Sequence, residues 1–311
     1  MQDNHVVRAQ RTLRHSIGCV GVGLHTGARV AVTLHPGEAG SGIVFCRTDC
    51  GNAVPVRASH GRVAETDLCT AIVDAAGNRI ATIEHLMAAL AICGIDNARV
   101  DLAGPEIPAM DGSAQPFVFL IECAGTVPQD RPRNTVRVVK CVEVRSGQSL
   151  CKLVPDHERS FHCRIDFPSR HVGIQEFSLA FDDDGLRHEL APARTFGFAD
   201  DVEALRDRGL ARGGSLRNAV VIGEQGVLNE EGLRFPDEFV RHKMLDAIGD
   251  LALAGCIIGA RYVGIRPSHR LNIALLRKLF DTAGAYDVIA GELPPSVPRI
   301  DVPATSLALN S

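Results

Sequence analysis

Polar and apolar positions alternate with period two over 28–35 (ARVAVTLH), the pattern of a strand with one face covered. The glycine-punctuated GVGLHTG at 21–27 precedes it and reads as a turn between strands. Shorter β-rich runs follow at 42–46 (GIVFC), 68–73 (LCTAIV) and 97–102 (NARVDL). Between the last two the spacing becomes helical over about 82–93, with Thr82 in the N-cap position and Gly94 ending the helix. A second helix is predicted over 115–124, with Pro116 in its first turn. The order then repeats. Strands are predicted at 135–144, 149–155 and 161–167, helices near 200–208 and 237–254, then a short strand and a last helix near 271–282.

Strands first and helices after, twice over, is an α+β pattern. The stretch VPQDRPRN at 127–134 carries two prolines and alternating charges and reads as a linker. The expected organisation is an N-terminal α+β domain over 10–127, a C-terminal α+β domain over 134–290 and a Pro-rich tail over 291–311. The chain length of 311 residues suits two domains. Residues 1–14 read as a polar tail.

Composition narrows the class. With 45% hydrophobic and 23% charged residues the chain can fill sizeable cores, and its formal charge of −4 argues against a nucleic-acid binder. No run reaches the ~18 to 20 apolar residues of a membrane span, so no transmembrane segment is expected. The first residues lack the apolar stretch of an export signal, and a cytoplasmic location follows as the expectation. There the ten cysteines, none in a CxxC, read as reduced, buried small hydrophobes. Nothing in the chain calls for an oligomer, and a monomer is expected.

Three segments carry candidate chemistry. In PDEFVRHKMLDAIGDLALAG (236–255), Val240, Met244, Leu245, Ile248 and Leu251 form an apolar face at ~100° per residue. His242, Asp246 and Asp250 fall on another stripe at i, i+4 and i+8, and a His-x3-Asp pair on consecutive turns can grip one metal ion. A solvated polar stripe is the ordinary alternative, although an apolar flank such as AIGDLALAG favours burial, where Asp250 needs a partner. In ATIEHLMAALAICG, Glu84 and His85 lie in the first turn of a helix, so both can border one cleft. A Glu placed there for the helix dipole, with an incidental His, is the ordinary alternative. His269 in RPSHRLNI reads as a loop residue between strand and helix, available for function or simply polar surface.

Taken together these segments resemble a known family. GVGLHTG (21–27), TIEHLMAAL (82–90), GIDN (94–97), PEIPAMDGSAQPF (105–117), ARTFGF (193–198), GLARGGS (209–215), VLNEEGLRFPDEFVRHKMLDAIGDL (227–251) and SHRLN (268–272) occur in the order found in UDP-3-O-acyl-N-acetylglucosamine deacetylases. The resemblance implies two similarly built domains, each a sheet with helices on one face, the helices facing each other around the active site. It implies one zinc ion (Zn2+) on His85, His242 and Asp246, an open catalytic set with room for water. Iron(II) would suit the same ligands. It further implies Glu84 as general base, His269 as general acid, Asp250 as the residue that holds His269, Thr195 as a hydrogen-bond donor to the tetrahedral intermediate, and Lys243 as a contact to a polar substrate group. The implied reaction is hydrolysis of the N-acetyl group of UDP-3-O-acyl-N-acetylglucosamine in lipid A synthesis.

The same resemblance assigns substrate contacts to Leu68, Asp166, Phe167, Phe196, Phe198, Leu210, Gly214 and Arg266. Segment 196–222 looks like the family's insert that forms an acyl-chain passage, with Phe198, Leu205, Leu210 and Val220 as lining candidates; core packing is the alternative for each. Two positions depart from the family pattern: Asp67, where Met is common, and Ser268, where Gly is common. Both bear on acyl-chain and inhibitor fit. GVGLHTG lacks the spacing of a nucleotide-binding loop. The competing readings are a sugar-nucleotide binding protein without activity and a zinc hydrolase of another substrate.

Overall fold

A computed structural model describes residues 8–181 and 185–293. The tail expected over 291–311 lies outside the described residues from 294 on. Two five-stranded sheets dominate. The first runs, in spatial order, Ile17–Val22, Arg29–Pro36, Ala98–Ala103, Ile43–Arg47 and Val56–Arg57. The second runs Val142–Ser146, Ser149–Val154, Arg261–Ile265, Ser160–Asp166 and Ile174–Ala180. Strand order and sense correspond throughout: in each sheet the third and fourth strands are parallel and the other neighbours antiparallel. The fold is α+β, built twice on one plan.

A helix precedes and another follows the central strand of each sheet. They are α1 (Glu84–Ile92) and α2 (Gln115–Ala124) for the first; after α3 (Ala199–Asp207) come α4 (Glu238–Ala252) and α5 (His269–Asp281) for the second. The parallel strand pair makes a crossover obligatory, and α1 and α4 lie in those crossovers. They then pack on each other, and both are buried almost all round: α1 exposes only part of Ala91, and α4 only Arg241, Lys243 and Ala252. One continuous apolar cluster takes in both sheets and these helices, with Leu86 and Leu90 of α1 and Leu245 and Ile248 of α4 in the same core. No helix among the described residues is long and apolar enough to cross a membrane.

Several local expectations are corrected. Thr82 does not cap α1: it has φ +57, and its hydroxyl donates to buried Glu106 at 3.0 Å, while the helix starts two residues later. Gly94, at φ +67, does follow the C-cap. The predicted linker is largely a strand, Thr126–Pro132, paired antiparallel with Ala9–Leu13 from the supposed polar tail. Among the described residues no second strand pairs with Thr126–Pro132, so its prolines leave no further ladder bond unmade. The predicted strand 135–144 is two strands in different sheets, Thr135–Val138 and Val142–Ser146. His269 is not a loop residue but the first of α5, with Ser268 as N-cap accepting from the Leu271 N–H.

A candidate metal centre between two helices

The α1–α4 seam brings the predicted ligands together. His85 Nε2 lies 3.5 Å and His242 Nε2 3.3 Å from Asp246 Oδ1, and the three candidate ligand atoms fall within 4.8 Å of one another. All three residues are buried, so the polar stripe of α4 is not a solvated face. The two imidazoles meet edge to face, with ring centroids 4.9 Å apart.

Hydrogen-bond accounting shows what this arrangement needs. His242 Nδ1 is 3.0 Å from the Ala193 carbonyl, which can only accept, so Nδ1 carries the proton. In the neutral ring, Nε2 therefore turns a lone pair toward a carboxylate oxygen. Burial pushes His242 down to about 4, keeping it neutral. Asp246 is held well below the usual carboxylate range: burial opposes ionisation, but the surrounding His242, His85 and Lys243 outweigh it. Among the described residues its Oδ1 is buried without a hydrogen-bond partner. Two imidazole nitrogens, one of them the His242 lone pair, converge on this anionic oxygen, and a two-His, one-carboxylate set is the donor chemistry of a catalytic zinc. The residues fit a metal ion.

Around the centre stand the other predicted groups. Glu84, adjacent to His85, is buried, and burial raises its pKa against the pull of His269 and His85. Asp250 Oδ2 takes His269 Nδ1 at 2.9 Å and Asn272 Nδ2 at 2.8 Å, and Asp250 Oδ1 takes the Thr70 hydroxyl at 2.6 Å. Burial works to lower the His269 pKa, but the charge and hydrogen bond of Asp250, with Glu84, bring it to about 9. Lys243 Nζ sits 3.6 Å from Asp246 Oδ2 and 5.8 Å from the Phe196 ring.

Thr195 is held by its backbone, its N–H on Gly112 O and its carbonyl on Val220 N, both at 2.8 Å; its hydroxyl has no partner among the described residues. Next to it, Phe196 packs edge to face on Phe239 at 4.8 Å and Phe167 at 5.6 Å and lies 6.4 Å from His242; Phe198 meets Phe167 at 5.9 Å. An aromatic group thus leads to the candidate metal ligands. Val220 is fully buried core rather than lining, while Leu205 and Leu210 are half-buried. Asp166 and Arg266 form an ion pair, Arg266 having φ +48. Leu68 is exposed with φ +62, and Gly214 lies in the turn after α3. Asp67 pairs with Arg208 at 2.9 Å, so its charge is answered within the chain.

The sequence reading missed four supports. The Ala193 carbonyl is backbone and leaves no side-chain signal. Arg194 anchors that carbonyl's segment by hydrogen bonds from its N–H (3.0 Å) and Nε (2.8 Å) to fully buried Glu238. Thr70 and Asn272 were readable only as polar residues inside apolar runs.

The family model for UDP-3-O-acyl N-acetylglycosamine deacetylase matches residues 10–281. A UDP-3-O-acyl-N-acetylglucosamine deacetylase of Myxococcus xanthus (strain DK1622) is 47% identical over 280 residues, 90% of this chain and 89% of the relative.

Proposed function

The chain belongs to the UDP-3-O-acyl N-acetylglycosamine deacetylase family, and from that premise we propose that it hydrolyses the N-acetyl group of UDP-3-O-acyl-N-acetylglucosamine, giving UDP-3-O-acyl-glucosamine and acetate in lipid A synthesis. The observation that carries the reading is the unpartnered Asp246 Oδ1 facing two imidazole nitrogens, with a carboxylate and an Asp–His pair beside it. We assign the metal as one zinc ion on His85, His242 and Asp246. Bound there, zinc would supply a Lewis acid for the amide carbonyl and would lower the pKa of the attacking water to about 7.

The chain's residues divide the remaining work. Glu84 accepts the proton of the attacking water as the water oxygen bonds to the acetyl carbon. Its raised pKa suits a base that works near neutrality. The Thr195 hydroxyl donates to the oxygen that gains charge at that carbon. As the C–N bond breaks, His269 gives its proton to the leaving amine, which departs neutral. Asp250 keeps His269 charged and aims its Nε2, since Nδ1 is engaged. Lys243 meets a polar group of the substrate.

Substrate contacts follow the same proposal. Phe196, Phe198 and Leu210 take the acyl chain. Phe167 stacks with the uracil and Asp166 bonds it, while Arg266 meets the diphosphate, with Leu68 and Gly214 at the mouth. Segments 10–127 and 134–290 act as two domains closing on the site. The enzyme works as a cytoplasmic monomer, where its ten free thiols stay reduced.

The test is acetate release from UDP-3-O-acyl-N-acetylglucosamine by purified protein, before and after chelation, with zinc or iron(II) restored. Release stopped by chelation and recovered with about one zinc per chain supports substrate and metal together. Recovery with iron(II) alone reassigns the metal. Release that survives complete metal removal, or none from loaded protein, removes the proposal.

A further inference from the structure

Thr70 makes two hydrogen bonds that the proposed steps do not use. Its hydroxyl donates to Asp250 Oδ1 at 2.6 Å, and its backbone N–H donates to Glu84 Oε2 at 2.9 Å. It is the only residue among those described that bonds both carboxylates, one from each side of the α1–α4 seam. Thr70 is fully buried at the start of strand Ala71–Val73, and its carbonyl accepts from the Ile83 N–H at 3.2 Å. The segment is therefore fastened to the first turn of α1 before its side chain reaches across to α4.

We propose that Thr70 is a positioning residue for the hydrolysis, fixing Glu84 and Asp250 relative to each other. The inference rests on the roles given above to those two carboxylates. A carboxylate rotates easily about its last bond. Asp250 Oδ2 already serves His269 and Asn272, and the Thr70 hydroxyl on Oδ1 pins the plane in which Oδ2 faces the His269 ring. At Glu84 the donor is a backbone N–H, which has no rotamer to change. It tethers Oε2 and leaves Oε1 to take a proton. Among the described residues no other hydrogen bond reaches the Glu84 carboxylate. Without the hydroxyl, Asp250 Oδ1 becomes a buried unpaired oxygen, and His269 loses the rigidity of its partner.

Thr70→Val tests this, because it keeps the branched shape and the backbone N–H and removes only the hydroxyl. We expect kcat to fall about ten- to a hundredfold, the loss of one hydrogen bond to a charged group. KM and bound metal should stay as in the wild type, and Thr70→Ser should restore kcat. In an Asp250→Asn background the same change should cost far less, since the group it acts through is already altered. Thr70→Ala is the second variant should valine prevent folding, with melting temperature read throughout.

Wild-type kcat in Thr70→Val, equal cost in both backgrounds, or a serine variant as impaired as valine would each overturn the inference. Full turnover in both Glu84→Ala and Asp250→Asn would overturn the site roles and the inference with them. Impaired Glu84 and Asp250 variants beside a silent Thr70→Val overturn the role of Thr70 alone.

Discussion

The carbonyl oxygen of Glu84 occupies the space where residue 249 would carry a side chain: a Cβ on Gly249 would lie 2.0 Å from it. Gly249 stands between Asp246, a proposed metal ligand, and Asp250 on α4, so the first turn of α1 rests directly on the α4 backbone. That contact sets how far His85 stands from His242 and Asp246. Gly249→Ala must push the helices apart, at a cost of about 1–3 kcal/mol or more, as in overpacked cores. The expected result is a lower melting temperature together with weakened metal retention. Metal content after dialysis checks the second part; unchanged retention would mean the seam is not what holds the ligands in register.

Glu84→Ala should lower turnover by about 10²- to 10⁴-fold, the usual contribution of a general base. His85 and Asp246 remain, so metal content should stay near one per chain. Acetate release and metal analysis on the same sample decide it, and near-normal turnover would take the base role away from Glu84.

The Asp250–His269 pair predicts a shift in pH dependence. As the acid, His269 is active when protonated, below its pKa of about 9, and activity falls as pH rises through that value. Asp250→Asn removes the charge that raises this pKa, so the alkaline limb of kcat/KM should move to lower pH by about one unit or more. The stability sign is the same: a raised histidine pKa contributes below the unfolded value and is lost as pH rises through the folded one. An unmoved alkaline limb would detach His269 from the acid role.

Arg266→Ala should raise KM with little change in kcat, as loss of a contact equal in ground and transition states does. Asp166, its ion-pair partner, is itself partly exposed, so stability should hardly move. A fall in kcat at unchanged KM would place Arg266 nearer the chemistry than a diphosphate contact.

Legibility in the sequence followed the range of the physics. The i, i+4, i+8 stripe of His242, Asp246 and Asp250 belongs to one helix, so local periodicity suffices to read it. Glu84 and His85 carry no local sign of meeting that stripe, and only the family resemblance joined them to it. The α+β order and most helix limits were readable because apolar spacing is local. The pairing of Ala9–Leu13 with Thr126–Pro132 was not, since its exposed outer faces carry the polar residues of a tail and a linker. Thr82 had the residue type of a cap, but buried Glu106 takes its hydroxyl instead. Val220 reads as passage lining by hydrophobicity alone, and the structure puts it in the core.

His85 is made early in synthesis, and His242 and Asp246 come much later, on a helix from the other half of the chain. A ribosomal product that stops before α4 holds at most one of the three proposed ligands. Such a product has no cage for the ion, and neither does a full-length chain whose two sheets have not yet docked. On the proposed ligand set the full cage exists only once both halves are made and packed together, so an ion held by all three would mark a chain that has been finished and closed.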